Sequence, residues 1–147
     1  MTEIRKLEYN DYHKGFLDLI NTFTRNPVCK PNFEEFCKMM NTIVGQGSIV
    51  YVVEDEKEGK IISSIKCLIE QKMHNNFKRV MHIEDLVTHS EYRKQGLASK
   101  LLKKALEVAK ELNCYKVVLC SNPENKEFYL NNGFLEKGIE FTKYTGV

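Results

Sequence analysis

Residues Val80 to Leu112 read VMHIEDLVTHSEYRKQGLASKLLKKALEVAKEL, and two periods meet inside them. Val80 to Thr88 is a branched, largely apolar run of strand length. From Gly96 to Leu112 the apolar residues Leu97, Leu101, Leu102, Ala105, Leu106, Val108, Ala109 and Leu112 recur at helical spacing. Lys100, Lys103, Lys104, Glu107, Lys110 and Glu111 take the other side of that helix as solvated surface. A turn through Ser90 to Gln95 joins the two, so a buried strand delivers the chain to a long helix with no obvious side-chain cap. The first amides of a helix lack intrahelical partners and carry the positive end of its dipole, which suits a pyrophosphate. In Arg93-Lys94-Gln95-Gly96-Leu97-Ala98, Gly96 lets an anion approach the backbone, Ala98 keeps the surface low, and Arg93 and Lys94 add charge. An ordinary turn with a flexible glycine is the competing reading of the same six residues.

Outward from this unit, residues 2 to 8 predict a first strand. Tyr12, Phe16, Leu19, Ile20 and Phe23 predict a helix from Asn10 to about Thr24. Pro27 and Pro31 punctuate a loop, after which Asn32 caps a helix carrying Phe33, Phe36, Met39, Met40 and Ile43 and stopping near Gly45 and Gly47. Ile49 to Val53 and Ile61 to Ile69 flank a charged turn holding Gly59, which predicts a hairpin, and residues 73 to 79 form a polar excursion beyond it. After the long helix, Tyr115 to Cys120 reads as a strand and Pro123 to Asn132 as a short helix. Gly133 is its left-handed stop, and Phe134 to Tyr144 reads as a last strand or strand pair. No repeat or linker interrupts the pattern, so the expectation is one α/β domain over residues 1 to 147, with helices on both faces of a sheet.

Composition narrows the function. A chain of 147 residues, 42% hydrophobic and 29% charged, can bury a core without disulfide or metal staples. Twenty-two basic against twenty acidic residues leave +2, too balanced for the electrostatic footprint of a nucleic-acid binder. Arg5, Arg25, Arg79 and Arg93 are the only arginines, so backbone amides and lysines must hold any phosphate. Cys29, Cys37, Cys67, Cys114 and Cys120 are an odd set with no C-x-x-C spacing, and no apolar leader precedes the first charges. Reduced thiols and a cytoplasmic location are the expectation. No apolar run has the length of a membrane span, so no membrane role is expected.

Strict alternation along a strand would turn Glu84 and Asp85 to opposite sides of the sheet, so they do not read as a simple acid and base pair. Two carboxylates in an apolar strand are expensive unless they are used, either structurally on the amides of a nearby loop or chemically on a ligand. Tyr129, from the residues alone, reads first as a core tyrosine whose hydroxyl seeks some partner. His82 and His89 give no three-ligand set, so no metal is expected, and Cys120 has no general base near it in sequence. No P-loop, dinucleotide fingerprint or G-x-S-x-G elbow occurs.

Arg93, Gly96 and Ala98 resemble the pyrophosphate loop, Gln/Arg-x-x-Gly-x-Gly/Ala, of the GNAT superfamily of acyl-CoA-dependent N-acyltransferases. Met81-His82-Ile83-Glu84-Asp85-Leu86-Val87, Leu112-Asn113-Cys114-Tyr115-Lys116-Val117 and Asn125-Lys126-Glu127-Phe128-Tyr129 narrow the resemblance to the glucosamine 6-phosphate N-acetyltransferase family. Ile69-Glu70-Gln71-Lys72 sits where that family's substrate loop begins. The resemblance is dense from about residue 60 to 135 and implies the GNAT fold, a central mixed, mostly antiparallel sheet flanked by about four helices.

It also implies direct attack of the amine of D-glucosamine 6-phosphate on acetyl-CoA, a step toward UDP-N-acetylglucosamine. By that analogy Glu84, Asp85 and Tyr129 are catalytic. The carboxylates orient the amine, and the phenol serves the departing thiolate. Acetyl-CoA falls to the backbone of Leu86, Val87 and Thr88, to Arg93, Lys94, Gln95, Gly96, Leu97, Ala98 and Ser99, and to Asn125 with Tyr129. The sugar phosphate falls to Lys72, Met73, His74, Asn75, Tyr115 and Lys116, with Glu84, Asp85, Leu86 and Cys120 around the sugar. Lys143 and Tyr144 would reach across a homodimer interface that completes the site.

Three departures stand out: Asn75 replaces a histidine, Cys120 replaces an acid, and no C-terminal arginine lies near Tyr144. Two alternatives stay open on the sequence: a GNAT enzyme for another amine, such as a polyamine or a protein, and an acyl-CoA-binding regulatory module without turnover.

Overall fold

The computed structural model describes residues 3–24 and 29–147. Arg25, Pro27 and the predicted strand start at Thr2 lie outside the described residues. The elements are β1 (Ile4–Lys6), α1 (Phe16–Ile20), α2 (Phe33–Gly45), β2 (Ser48–Asp55), β3 (Lys60–Gln71), β4 (Arg79–Thr88), α3 (Leu97–Glu111), β5 (Cys114–Val118) and α4 (Lys126–Asn131). Asn32 opens α2 with a reciprocal cap: its Oδ1 accepts from the Glu35 amide at 2.9 Å, and its own amide donates to the Glu35 carboxylate at 2.8 Å.

The first predicted helix is broken into three pieces. Tyr9–Lys14 and Asn21–Phe23 are 3-10 turns on either side of α1, and Gly15, at φ 76°, separates the first turn from α1. The cause is Asp11, which is wholly buried. Its carboxylate accepts both terminal nitrogens of Arg5, at 2.9 and 2.8 Å, and the Glu8 amide at 2.8 Å. That anchoring tightens the turn more than apolar spacing suggests.

The strands order β1-β2-β3-β4-β5 in one sheet. Neighbours are antiparallel except β4 and β5, which run parallel because α3 crosses over between them. On one face α3 packs Leu97, Leu101, Leu102, Ala105, Val108 and Ala109 against Tyr51, Ile65, Met81 and Ile83. On the other, Phe16, Leu17 and Leu19 join Phe36, Val52, Ile61 and Val87. Full burial of each such leucine or phenylalanine contributes about 1.5–3 kcal/mol.

β4 changes parity partway along. Ser64 pairs with Val87 but Lys66 pairs with Glu84, so Asp85 and Leu86 together oppose Ile65. Asp85 takes φ 52°, a left-handed value that accommodates the extra residue. Met81 and Ile83 therefore face the α3 core while Val87 faces the other one. The pairing of β4 with β5 ends at His82 and Val118, so from Ile83 onward the β5-facing edge of β4 is left open.

Cys120 lies past the end of β5 rather than within it. The predicted final strand over Phe134 to Tyr144 is absent: residues 134–147 form neither helix nor strand. Leu135, Ile139, Phe141 and Tyr144 are 81%, 83%, 91% and 92% exposed. Among the described residues these side chains reach no core and their backbone pairs with no strand, and without a pairing partner such a pattern does not make a strand.

Candidate active site

The bulge in β4 decides the site. It turns both Glu84 and Asp85 into one cleft of about 340 Å³, against the expectation that they face opposite ways. The reason is the extra residue, which interrupts the alternation on which that expectation rests. Leu86, Cys120, Asn125 and Tyr129 line the same cleft, together with Phe23, Ile83, Leu119, Ser121, Asn122 and Glu140. Six of the sequence-predicted site residues thus converge where β4 and β5 part.

Tyr129 is carried by α4, whose stop is fixed by Gly133 at φ 85° and by the Phe134 amide donating to the Tyr129 carbonyl at 3.1 Å. Its ring packs edge-on against Phe128 and Phe134, with centroids at 5.0 and 5.9 Å. Burial alone pushes its phenol above the ordinary value of 10.0. A phenol in that state is a proton donor throughout the neutral range.

Cys120 donates its thiol to Glu140 Oε2, and this bond, ahead of burial, pushes the thiol upward. The same bond, with the Thr142 hydroxyl on Oε1 at 3.1 Å, holds the Glu140 carboxyl below its ordinary value. Cys120 is therefore a thiol hydrogen-bonded to an acid, a poor arrangement for a nucleophile. Sequence reasoning missed Glu140 because nothing local marks it; it sits in the tail, twenty residues after Cys120. Asp85 has Lys66 Nζ at 3.8 Å.

At the other margin, α3 begins as anticipated. Gly96 occupies its N-cap at φ 77° with no side-chain cap, after Lys94 at φ 62°. The first intrahelical bond is from the Lys100 amide to the Gly96 carbonyl at 3.0 Å, so the amides of Leu97, Ala98 and Ser99 precede any intrahelical partner. No atom lies within 4 Å of where a Cβ on Gly96 would stand, which leaves the approach to these amides clear. Arg93 donates from Nε to the Thr88 carbonyl at 3.4 Å, which keeps its guanidinium beside the strand end. Gln95 lies between Lys94 and the helix. An open strand edge leading to an uncapped helix start fits an extended ligand with an amide-bearing arm and a pyrophosphate.

The residues predicted for the sugar phosphate gather elsewhere. Lys72 is ion-paired to Glu70, which also takes His82 Nε2 at 2.9 Å, and both partners lower the Glu70 carboxyl, Lys72 more than His82. Met73 is 91% exposed. Asn75 begins a left-handed run with Asn76 and Phe77, at φ 52°, 56° and 59°. His74 meets Tyr115 edge-on at 6.4 Å, and Lys116 lies over the Tyr115 ring at 5.5 Å. Lys116 pairs with Val80, four residues up β4 from Glu84, a separation of about 13 Å at roughly 3.3 Å per residue. These residues therefore do not line the acidic cleft of their own chain, and neither do Lys143 and Tyr144.

Among the described residues no group of three or more His, Cys, Asp or Glu is placed to hold a metal ion, and no helix is long and apolar enough to cross a membrane. The splayed strands, the bulge and the uncapped helix define an acetyl-CoA-dependent acetyltransferase, and the chain belongs to the acetyltransferase (GNAT) family, whose profile matches residues 13–134.

Within that family it is similar to glucosamine 6-phosphate N-acetyltransferase of Arabidopsis thaliana, 35% identical over 144 residues that cover 97% of this chain and 95% of the relative. Glucosamine 6-phosphate N-acetyltransferase 1 of Oryza sativa subsp. japonica is 32% identical over 146 residues, 96% of this chain and 86% of that one. The crystal structure of the Arabidopsis enzyme superposes with a TM-score of 0.91 over 99% of each chain at 35% identity. An acetyltransferase of Trypanosoma brucei gives 0.92 over 98% of this chain and 99% of its own at 27% identity.

Proposed function

We propose that residues 1–147 form one acetyltransferase domain that moves the acetyl group of acetyl-CoA to the amine of D-glucosamine 6-phosphate. The products are N-acetylglucosamine 6-phosphate and CoA, in the cytoplasmic route to UDP-N-acetylglucosamine. The observation that carries the reading is the convergence of Glu84, Asp85, Asn125 and Tyr129 in the cleft where β4 leaves β5. The names of the similar enzymes supply the acceptor.

Acetyl-CoA brings an activated acetyl thioester and a pyrophosphate. The amides of Leu97, Ala98 and Ser99, reached over Gly96 and flanked by Arg93, Lys94 and Gln95, hold the pyrophosphate. The open edge of β4 at Leu86, Val87 and Thr88 pairs with the amide-bearing arm, and one of its amides stabilises the oxyanion that develops at the thioester carbonyl. Asn125 holds the arm from the other side. Glu84 and Asp85 orient the amine for attack, and the Tyr129 hydroxyl gives its proton to the leaving sulfur. The new bond is N–C and the broken bond C–S; the acceptor ammonium loses one proton to solvent before attack and a second as the amide forms, which restores the Tyr129 phenol by way of solvent, and no covalent enzyme intermediate is required.

The protein works as a homodimer in this reading. Lys116 lies about 13 Å from Glu84 along the sheet, at roughly 3.3 Å per residue, and neither it nor Lys72, Met73, His74, Asn75 or Tyr115 lines the cleft of its own chain. A second copy brings its own set to the cleft. The exposed apolar side chains of the tail, with Lys143 and Tyr144, supply surface for such an interface.

The test is acetyl-CoA consumption with glucosamine 6-phosphate against unphosphorylated glucosamine, read by mass spectrometry because five cysteines disturb a thiol reagent. Turnover that needs the phosphate is the expected result. Acetyl-CoA binding without acetylated sugar would overturn the acceptor.

A further inference from the structure

Glu140 enters the cleft from the tail, and each of its oxygens is held by a different neutral donor: the Cys120 thiol on Oε2 and the Thr142 hydroxyl on Oε1. Among the described residues no cation pairs with it, whereas Glu136 in the same tail pairs with Lys126 Nζ at 2.6 Å. Glu84 has no cationic partner there either, and Asp85 has only Lys66 at 3.8 Å. Neutral donors orient a carboxylate without cancelling its charge, and Glu140 is held ionised while Cys120 keeps its proton. Three acids converge on one concave space and, among the described residues, Lys66 on Asp85 is the single cation paired with any of them, so they repel one another. A cation arriving with the substrate relieves that repulsion.

We infer that Glu140 is a substrate-binding carboxylate that receives the acceptor's ammonium group, and that Cys120 is the positioning residue that aims it. The inference rests on the acceptor proposed above. An acid at position 120 would reach the cleft from just past the end of β5. This chain has a thiol there instead, and the thiol captures an acid from a segment distant in sequence. The tail thus adds a carboxylate to the two that β4 supplies, so the placement of the tail sets affinity for the acceptor and leaves the acetyl-CoA surface untouched.

Steady-state kinetics of the full chain with glucosamine 6-phosphate and acetyl-CoA, on wild type, E140Q, C120A and the double variant C120D/E140Q, test this. E140Q should raise the KM for the amino sugar about tenfold or more, the usual scale for a hydrogen bond to a charged group, while the KM for acetyl-CoA stays within about twofold. C120A should raise the same KM by a smaller factor, and C120D/E140Q should recover to within about threefold of wild type. A wild type that does not acetylate the sugar overturns the acceptor reading and this inference with it. An active wild type whose E140Q variant keeps its KM, or raises both KM values equally, overturns the inference alone. So does a double variant no better than E140Q.

Discussion

Replacing Tyr129 by Phe separates catalysis from architecture in one atom. The ring is fixed by Phe128 and Phe134, with centroids at 5.0 and 5.9 Å, and phenylalanine keeps both contacts. Burial raises the phenol, and among the described residues none hydrogen-bonds to its hydroxyl, so no described partner is orphaned by the change. Stability should therefore alter by less than about 0.5 kcal/mol, a shift in Tm of about 2 °C or less for a chain of this size. Loss of a positioned proton donor should lower kcat by about 10² to 10⁴ while leaving the Kd for acetyl-CoA unchanged. Because burial raises the phenol above 10.0, it stays protonated from pH 6 to 9, and the ratio of wild-type to variant kcat should be flat over that interval. The assay is kcat against pH by mass-spectrometric product detection, with calorimetry for acetyl-CoA. A kcat within about threefold of wild type, or a ratio that collapses within that pH interval, refutes the proton-donor role.

Gly96→Ala forces a side chain onto φ 77° in open space, so it should cost about 1 kcal/mol of stability by strain alone. It should also weaken acetyl-CoA binding about tenfold in calorimetry, because the new methyl covers the amides at the start of α3. Leu101→Ala, at a wholly buried position of α3, should destabilise by about 2–5 kcal/mol in a urea titration. Arg5 and then Lys14 hold the Glu54 carboxyl below its ordinary 4.5. Since the folded value is the depressed one, the stabilisation is complete above about pH 4.5 and is lost as pH falls through the folded value. Below pH 4.5 the Tm of wild type should fall more steeply than that of Glu54→Gln.

The parts legible beforehand are those written in short-range patterns. The amphipathic stripe from Leu97 to Ala109, the cap at Asn32 and the left-handed stop at Gly133 each depend on residues a few positions apart, and each is found. So is the uncapped start of α3 behind Gly96, the element of the site most visible in the string. The first helix fails where a long-range contact intervenes: Asp11 is pulled inward by Arg5, and Gly15 breaks the run. The last strand fails for the converse reason: Leu135, Ile139 and Phe141 have the residue types of a strand, yet they stay exposed and pair with no strand among the described residues.

The sequence by itself therefore determined α2 and α3, the fold class and the family, because capping, periodicity and motif spacing act along the chain. Tertiary structure alone decided which way the two acids of β4 face and which acid joins them. The first is set by a register shift between β3 and β4 that puts Asp85 and Leu86 opposite a single Ile65. The second is set by the Cys120 thiol, which meets a carboxylate twenty residues away. Neither alternation nor local spacing encodes such pairings, since each depends on where a second segment of chain comes to rest.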